Sequence, residues 1–492
     1  MSLPTTIALA LLLPFLCALG IISTGRRPNL RETVTVAGSI ATFAIVLGLA
    51  GPVMDGARPE LLVRQVLPGI ALAFEVEPLG MLYALVASGL WIPTSLYAVG
   101  YCRGHNEKNQ TRFFACFALA IGAALGIAMA ANLFTLFLFY ELLTLSTYPL
   151  VTHYGNAESR SAGRTYLGIL LSTSVGFLLL AIVWTWQVTG TLDFRPGGIL
   201  AGRIEGPEVA ILLALYAFGT GKAALMPFHR WLPAAMVAPT PVSALLHAVA
   251  IVKAGVFTVL KVIVYIFGID FLAQTGASVW LMYTASFTVV AASIVALTKD
   301  NLKARLAYST ISQLSYIVLG GALATTAGVV GGGLHIAMHA MGKITLFFCA
   351  GAIFVASHKK NISEMDGIGR SMPFTMVAFF VASLSIIGLP PTGGTWSKWY
   401  LLLGAAEGHE VIFMFVLMLS SLLSIAYLMP VVARAFFVEA STPDDEERRE
   451  GVHEAPLLCV APLCLTAAGC LLLFVYAGPI YRLLLPVSGS GG

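Results

Sequence analysis

The sequence predicts an all-α integral membrane protein with about fourteen transmembrane helices. Of its 492 residues, 58% are hydrophobic and only 11% are charged, and the mean hydropathy is +0.87. Soluble globular chains are about 25% charged. Long apolar runs recur along the whole chain, and lysine and arginine concentrate in alternate loops between them. Lipid must therefore be the solvent for most of this surface.

The apolar runs give the number of spans. A helix that crosses a bilayer needs about 20 mainly apolar residues. Fourteen runs are candidates, at residues 3–22, 33–51, 78–100, 112–130, 132–151, 163–187, 208–225, 241–267, 274–298, 306–324, 327–357, 373–402, 410–438 and 456–480. The first run has no preceding lysine or arginine and no clear cleavage site, which favours a membrane helix over a signal peptide.

The charges in the loops predict the orientation. Of the 22 lysine and arginine residues in loops, 18 fall in one alternate set, and only Arg58, Arg64, Arg195 and Arg203 fall in the other. The positive-inside rule places the larger set in the cytoplasm. The sequence thus predicts a multi-pass protein of the cell (inner) membrane with both termini on the outer side. The charged stretch within 439–455 is predicted to be a cytoplasmic linker.

Ionisable side chains also fall inside the spans. A charge at the bilayer centre costs roughly 2.5–3.5 kcal/mol, and such residues usually face the bundle interior and mark an ion path. The candidates for a proton relay are Glu141, Lys222, His247, Lys253, His335, His339, Lys343 and Lys398. His247 could instead be a neutral hydrogen-bonding residue between helices. Lys261 lies near the end of its span, which favours a side chain that extends to the interface.

Three of these residues share one helix face. His335, His339 and Lys343 are spaced i, i+4, i+8, so successive members are rotated by about 40° and separated by about 6 Å along the axis. Titratable groups in line can hand on a proton, and histidine titrates near neutrality. Two histidines at i, i+4 can alternatively bind zinc, but no Glu, Asp or Cys lies nearby in sequence to complete such a site.

Two segments cannot be continuous helices. The first contains Pro227 and three further prolines, and the second contains Pro390, Pro391, Gly393 and Gly394. Each break lies within eight residues of a span lysine, Lys222 or Lys398. Interrupted helices at corresponding places in two halves are typical of inverted-repeat transporters. Backbone groups freed at a break need protein or water partners, so we expect a hydrated cavity beside each lysine.

This pattern divides the chain into four parts. We expect N-terminal helices in residues 1–100, a first repeat of spans 4–8 in residues 101–270, a second repeat of spans 9–13 in residues 271–440, and a last helix in residues 441–492. The repeat rests on topology and on the two breaks, because the halves have little residue-level similarity.

The composition also argues against several kinds of site. The seven cysteines show no C-x-x-C or Cys/His ligand spacing, which argues against an iron–sulfur or zinc site. No basic run with interleaved aromatics suggests nucleic-acid binding. No catalytic triad or phosphate-binding loop is present in the sequence. We therefore expect no cofactor on this chain.

Several segments resemble a known family. A glutamate in the fifth span, a lysine before a broken seventh helix, and the segments WLPAAMVAPTPVSALLHA and GLPPTGGTWSKW are similar to the antiporter-like subunits of complex I, of Mrp cation/proton antiporters and of membrane-bound hydrogenases. The resemblance covers nearly the whole chain. Within the family, the chain is most similar to the MrpD-type component of the Mrp cation/proton antiporters.

The resemblance implies a core of fourteen helices with two inverted five-helix repeats, broken at helices 7 and 12. It pairs Glu141 with Lys222 and places Lys253 centrally, with His247 as its candidate partner. It assigns His335, His339 and Lys343 to a relay, with Lys398 as the terminal residue. Some complex I subunits carry glutamate at the position that corresponds to Lys398. The lysine in this sequence therefore argues against a resemblance to those subunits. Members with a long lateral helix continue well past the fourteenth span, whereas this sequence ends at Gly492.

Three functions fit the sequence. The first is a proton-translocating subunit of a multi-subunit Na⁺/proton antiporter. The second is a proton-pumping subunit of a redox complex, either complex I-like or a membrane-bound hydrogenase. The third is a stand-alone solute carrier, against which the serial lysines argue. The first two imply other membrane subunits as partners.

Overall fold

The computed structural model describes residues 2–439 and 451–488, and it is a bundle of helices with one β-hairpin. The charged run 444–450 of the predicted linker lies outside these residues. In chain order the helices are α1 (Leu3–Ser23), α2 (Pro28–Met54), α3 (Pro78–Gly104), α4 (Gln110–Ala128), α5 (Leu133–Val151), α6 (Ala157–Thr189), α7 (Pro207–Gly219), α8 (Ile251–Phe267), α9 (Ile269–Thr275), α10 (Val279–Thr298), α11 (Leu302–Ala322), α12 (Thr326–Ser357), α13 (Pro373–Ile387), α14 (Gly394–Glu407), α15 (Val411–Phe437), α16 (Leu457–Val475) and α17 (Ala477–Leu484).

The all-α membrane architecture is confirmed, but the count of fourteen spans is not. Among the described residues, ten helices are long and apolar enough to cross a membrane, or eleven if α8 and α9, bent by 80°, form one span. The other predicted spans coincide with α7 and α13, which are shortened by the breaks, and with α11. Helix α11 is less apolar because it carries charged, amide and hydroxyl side chains along its length.

The two ends of the bundle differ. At one end, β1 (Glu60–Leu67) and β2 (Ile70–Glu75) form an antiparallel hairpin, which the sequence did not predict. A β-bridge between Phe74 and Ala130 ties it to the loop before α5. We call this the hairpin end. At the other end, which we call the basic end, the lysine- and arginine-rich loops meet through a bridge between Asn301 and Asn361.

Helices α8 and α12 form the centre of the bundle. Every described side chain of α8 is buried, as are nearly all those of α12. A helix buried on every side has no lipid-facing stripe. Ionisable residues on these two helices therefore have only other protein groups, or enclosed water, as partners.

The chain leaves helical geometry at both proline-rich segments. Helix α7 ends at Gly219, and short helical turns at Gly221–Ala223, Trp231–Ala234, Ala235–Val237 and Thr240–Ala244 and a π-turn at Leu245–Val249 connect it to α8. Helix α13 ends at Ile387, where Gly388 has a φ of +91°, and α14 begins at Gly394. The peptide bonds before Pro227 and Pro391 are cis. The basic-end loop after α12 adds short turns at Ile362–Glu364 and Ile368–Ser371, and Leu485–Ser488 follows α17.

Candidate functional site

Lys222 lies in the break after α7 and is fully buried. Its ammonium donates to the backbone oxygen of Tyr140 at 2.8 Å and to Thr144 Oγ1 at 2.6 Å. It also sits 3.1 Å from the centre of the Tyr140 ring, a cation–π contact. The Trp231 indole donates to the oxygen of Gly221 at 2.9 Å, which satisfies one backbone group freed by the break. Helix α5 thus supplies the direct partners of Lys222.

Glu141, also on α5, does not form an ion pair with Lys222 among the described residues. Both of its carboxylate oxygens are buried without a hydrogen-bond partner in this part of the chain. Glu141 is the residue after Tyr140, whose backbone oxygen and ring contact Lys222. The structure therefore shows the two groups close together on the same side of the break but without a direct contact.

Gly255 brings α8 against the Lys222 turn. A Cβ atom at this position would lie 2.2 Å from the Ala223 nitrogen and 2.3 Å from the Lys222 carbonyl carbon. Real Cβ atoms do not approach backbone this closely, so only glycine permits the contact. Lys253 lies two residues before Gly255. Lys222 and Lys253 are therefore on elements that pack directly against each other.

Lys253 is fully buried and contacts the second half of the chain directly. Its Nζ lies 2.5 Å from Nδ1 of His339 on α12. His247, the predicted partner of Lys253, belongs to the π-turn before α8, but its side chain lies outside the described residues. The described partner of Lys253 is therefore a histidine 86 residues away.

His335 continues this line along α12. Its ring stacks on that of His339, with 5.6 Å between centroids and 25° between planes. Its Nδ1 lies 2.8 Å from Ser397 Oγ, and its Nε2 lies 3.1 Å from Gln313 Oε1. Both ring nitrogens thus have partners, one from α14 and one from α11.

Lys343 shares the helix face of the two histidines and contacts α11. Its ammonium donates to Ser309 Oγ at 2.6 Å and to the oxygen of Leu306 at 3.3 Å, both on α11. The spacing along α12 predicts a continuous row of three groups. In the structure the lysine side chain reaches the neighbouring helix α11, which His335 also contacts through Gln313.

Lys398 has surroundings of the same type as Lys222. Its ammonium donates to the oxygen of Ile387, the last residue of α13, and to Ser421 Oγ, both at 2.9 Å. It lies 4.9 Å from the centre of the Tyr316 ring. Each break lysine therefore has one backbone oxygen, one hydroxyl and one aromatic face. In the first half Glu141 follows the aromatic residue Tyr140, whereas an isoleucine follows Tyr316.

A cavity of about 610 Å³ lies beside Lys398. Gly388, Thr395, Trp396 and Ser421 are among its lining residues. Its lining is mainly apolar and includes the exposed side chains of Leu389, Trp399 and Leu422, so it is a groove that faces lipid. The hydrated cavity expected beside each lysine stays a prediction.

A second cavity, of about 600 Å³, opens at the basic end. His105, Tyr154 and Lys303 are among its lining residues. Behind it Glu107 accepts hydrogen bonds from Tyr154 at 2.9 Å and from His105 at 3.1 Å, and His153 lies 3.6 Å from its other oxygen. Burial alone would raise the pKa of Glu107, but the close contact with His153, the hydrogen bond from Tyr154 and the nearby histidine charges lower it below its ordinary value of 4.5.

The sequence-based interpretation of Lys261 was wrong. Its side chain is fully buried, and its Nζ lies 3.1 Å from Glu77 Oε1. Glu77 also caps α3, accepting from the backbone of Leu79 and Gly80, and accepts from the Tyr265 hydroxyl at 3.0 Å. Lys261 lies near the end of its helix, which suggested a side chain that extends to the membrane interface. In the structure, the carboxylate of Glu77 at the start of α3 meets it inside the bundle.

The chemistry available at this site is proton transfer. Lys253, His339 and His335 form a line of contacting groups that can each gain or lose a proton. Among the described residues, no group of three or more His, Cys, Asp and Glu side chains could hold a metal ion. The described contacts extend the line beyond the predicted residues to Tyr140, Thr144, Ser309, Gln313, Tyr316, Ser397 and Ser421. In sequence these side chains carry no distinguishing signal, because hydroxyl groups are common in membrane helices.

Known proteins resemble this chain both in sequence and in fold. Residues 130–424 match the family described as NADH:quinone oxidoreductase/Mrp antiporter, transmembrane. NADH-quinone oxidoreductase subunit N of Desulforudis audaxviator is 33% identical over 412 residues, which cover 82% of this chain and 81% of that protein. A probable K(+)/H(+) antiporter component of Rhizobium meliloti is 31% identical over 455 residues, covering 88% of this chain but only 43% of that protein.

Two solved structures have the same fold. A chain of the Mrp complex from Dietzia sp. DQ12-45-1b superposes with a TM-score of 0.88 at 22% identity, covering 99% of this chain and 97% of the other. A chain of an archaeal membrane-bound sulfane sulfur reductase superposes with a TM-score of 0.86 at 23% identity, covering 98% and 97%. The sequence match extends over more than half of the chain. The chain therefore belongs to the NADH:quinone oxidoreductase/Mrp antiporter family of membrane proteins.

Proposed function

We propose that the chain is the proton-translocating subunit of a multi-subunit monovalent cation/proton antiporter of the Mrp type, with Na⁺ as the exchanged cation. The observation that carries this proposal is the contact between Lys253 and His339, which joins the ionisable groups of both halves. Ionisable groups that meet inside the membrane serve proton movement, whereas packing does not require them.

The proposed path begins at Lys222 and passes through Lys253, His339 and His335 to Lys398. Glu141 stabilises the charged form of Lys222, and its approach or withdrawal shifts the balance between the charged and neutral forms. His247 and Lys343 belong to the same relay. The proposal places the loops of the basic end in the cytoplasm and both termini outside. It assigns the two repeats to residues 101–270 and 271–440.

A second candidate is a proton-pumping subunit of a redox complex. It is favoured by the 33% identity with an NADH-quinone oxidoreductase subunit N, which extends over most of both chains. Such a complex would use the same buried residues, because the driving reaction takes place on other subunits. The two candidates therefore differ in partners and in driving force.

Isolation of the native complex, followed by identification of its subunits, distinguishes the two. The antiporter proposal predicts co-purifying membrane subunits without redox cofactors. It also predicts that adding Na⁺ to inverted vesicles dissipates an imposed proton gradient. Co-purifying flavin or iron–sulfur subunits, with proton movement that depends on electron transfer, would favour the second candidate. Sodium-dependent exchange by the isolated chain alone would contradict both and indicate a stand-alone carrier.

A further inference from the structure

Tyr83 of α3 contacts α8 on both sides of Lys253, although it carries no charge. Its side chain is fully buried. Its hydroxyl donates to the backbone oxygen of Ala250 at 2.9 Å, and its ring centroid lies 4.9 Å from that of Phe257. Ala250 comes three residues before Lys253, and Phe257 comes four residues after it. Tyr83 therefore holds the helical turns that carry Lys253.

Ala250 is the residue at which the backbone changes from a π-turn to an α-helix. Its nitrogen closes the π-turn at Leu245–Val249 by donating to the Leu245 oxygen at 2.9 Å. Its φ of −100° and ψ of −74° depart from the usual α-helical values of about −63° and −42°. Its oxygen accepts from the Ala254 nitrogen at 2.9 Å, an α-helical hydrogen bond. A carbonyl oxygen has two lone pairs, and the Tyr83 hydroxyl occupies the second one.

The π-turn determines the direction in which Lys253 points. It contains one residue more than an α-helical turn closed by the same pair of groups, and each residue of an α-helix turns the chain by about 100°. If the turn before Ala250 became α-helical, the residues after it would rotate by about that angle relative to those before it. Lys253 would then no longer point at His339, its partner on α12.

Tyr97, also on α3, makes the same kind of contact with the other central helix. Its hydroxyl donates to the backbone oxygen of Phe348 on α12 at 2.9 Å, and its ring stacks on that of Phe348 at 4.1 Å. Phe348, however, lies nine residues after His339 in a continuous α-helix. Tyr97 therefore supports regular packing away from the contact between the halves, whereas Tyr83 supports the irregular turn beside it.

We propose that Tyr83 is a positioning residue of the proton relay, which fixes the π-turn before α8 and thereby directs Lys253 toward His339. Tyr83 does not itself carry the proton. Its hydroxyl and its ring hold Ala250 and Phe257, so the turns between them cannot rotate without breaking one of the two contacts. This inference rests on the proposed proton-translocating function.

The test measures cation-driven proton flux, over a range of pH, in inverted vesicles that contain the native complex with single substitutions. Tyr83→Phe removes the hydroxyl and keeps the ring. We expect it to lower the flux per folded complex about 2- to 12-fold, the factor that one hydrogen bond contributes. Tyr97→Phe is the matched control, because it removes an equivalent hydrogen bond from the same helix. It should keep most of the flux.

The pH dependence of the flux separates a positioning role from a loss of packing. The described ionisable groups around Lys253 lie on α12 and in the break after α7, and they are His339, His335, Lys343 and Lys222. A displaced Lys253 has a different distance to each of these groups. The pH of half-maximal flux should therefore shift by about 0.4–1.1 units in Tyr83→Phe. Tyr97→Phe should leave the pH profile unchanged.

The outcomes separate this inference from the proposed function. An unchanged pH profile in Tyr83→Phe, or the same shift in Tyr97→Phe, together with no flux in Lys253→Met, would overturn the positioning role alone. Full flux in Lys253→Met would overturn the proposed function itself. If Tyr83→Phe yields too little complex, Phe257→Leu replaces it, because this change weakens the ring contact on the other side of Lys253. The same shift is expected, and its absence would overturn the positioning role.

Discussion

Lys253 Nζ and His339 Nδ1 lie 2.5 Å apart and join two residues separated by 86 positions in sequence. Lys253 belongs to α8 in the first half and His339 to α12 in the second. A lysine and a neutral imidazole in contact can share one proton, with either group as the donor. The two central helices therefore meet at a point where a proton can cross from one half to the other.

The close crossing at Gly255 predicts a position that does not tolerate a side chain. In Gly255→Ala the new Cβ would overlap the backbone of the Lys222 turn. We expect this overpacking to cost about 1–3 kcal/mol of stability and to lower proton flux by displacing Lys222. Thermal unfolding of the purified complex and flux in vesicles measure the two effects.

Gly168→Ala is the control for that prediction, since no atom lies within 4 Å of a Cβ at this helical position. It should leave both measurements close to those of the unmodified protein. A Gly255→Ala variant with unchanged stability and flux would show that the crossing is looser than the structure indicates.

The pair of Glu77 and Lys261 predicts a stabilising role rather than a transport role. The carboxylate accepts from two backbone amides, a tyrosine and the lysine. Removing one partner leaves an uncompensated buried charge and costs about 3–5 kcal/mol. Lys261→Met should therefore lower the unfolding temperature of the complex strongly.

The double variant Glu77→Gln/Lys261→Met distinguishes a charge effect from a packing effect. With both charges removed, most of the lost stability should return, because no isolated charge remains. A double variant as unstable as the sum of the single variants would contradict the ion-pair explanation.

Much of the site could be predicted from single residues, but its connections could not. Buried charge and proline positions identify Lys222, Lys398 and the two breaks, because each is improbable in a membrane helix for a reason local in sequence. The contact of Lys253 with His339 depends on how two distant helices pack. The interpretation of Lys261 was wrong for the same reason. Its position along the helix does not show that Glu77, at the start of α3, packs against it.

The hairpin was missed, and the hydroxyl groups were beyond the sequence pattern. Residues 60–75 are mostly apolar and contain the turn signal Pro68-Gly69, but the pattern of membrane spans assigns the whole segment to a loop. Serines such as Ser309 and Ser397 look like ordinary small residues of a helix interface. Only the neighbouring helices show which of them face an ionisable group.

Ser397 is predicted to support both protonation states of His335. Its hydroxyl can donate to His335 Nδ1, or it can accept from a protonated ring while donating to the oxygen of Gly394, 3.1 Å away. Loss of a hydrogen bond to a charged group costs about 1.5–3 kcal/mol, which corresponds to about 10- to 150-fold in rate. Ser397→Ala should lower the proton flux in vesicles by this factor.

Ser397→Thr provides the rescue, because threonine keeps the hydroxyl. It should restore most of the flux without a change in the amount of complex. If alanine and threonine lower the flux equally, the effect comes from packing and the assigned role of the hydroxyl fails.

Glu107 predicts how stability depends on pH at the basic end. The pKa of Glu107 in the folded protein is lower than its ordinary value of 4.5, so its ionised form favours the folded state. This contribution is complete above pH 4.5 and is lost as the pH falls through the folded-state pKa. Unfolding temperatures of the complex and of its Glu107→Gln variant should therefore differ at neutral pH and converge toward acid pH.

Glu158→Gln serves as the control for that titration, because Glu158 lies in the same basic-end region but is not among the hydrogen-bond partners of the cluster around Glu107. It should not change the pH dependence. A constant difference between the Glu107→Gln variant and the unmodified complex across the acid range would contradict the assigned pKa direction.

The most direct test of the central claim compares Lys253→Arg with Lys253→Met in the vesicle flux assay. Arginine keeps the positive charge, but it does not release a proton at any pH that the protein experiences. If Lys253 carries protons between the halves, both variants should lose the flux, while Lys299→Met, a substitution in a basic-end loop, should keep it. Substantial flux in Lys253→Arg would show that the site needs only a fixed charge and would contradict the relay.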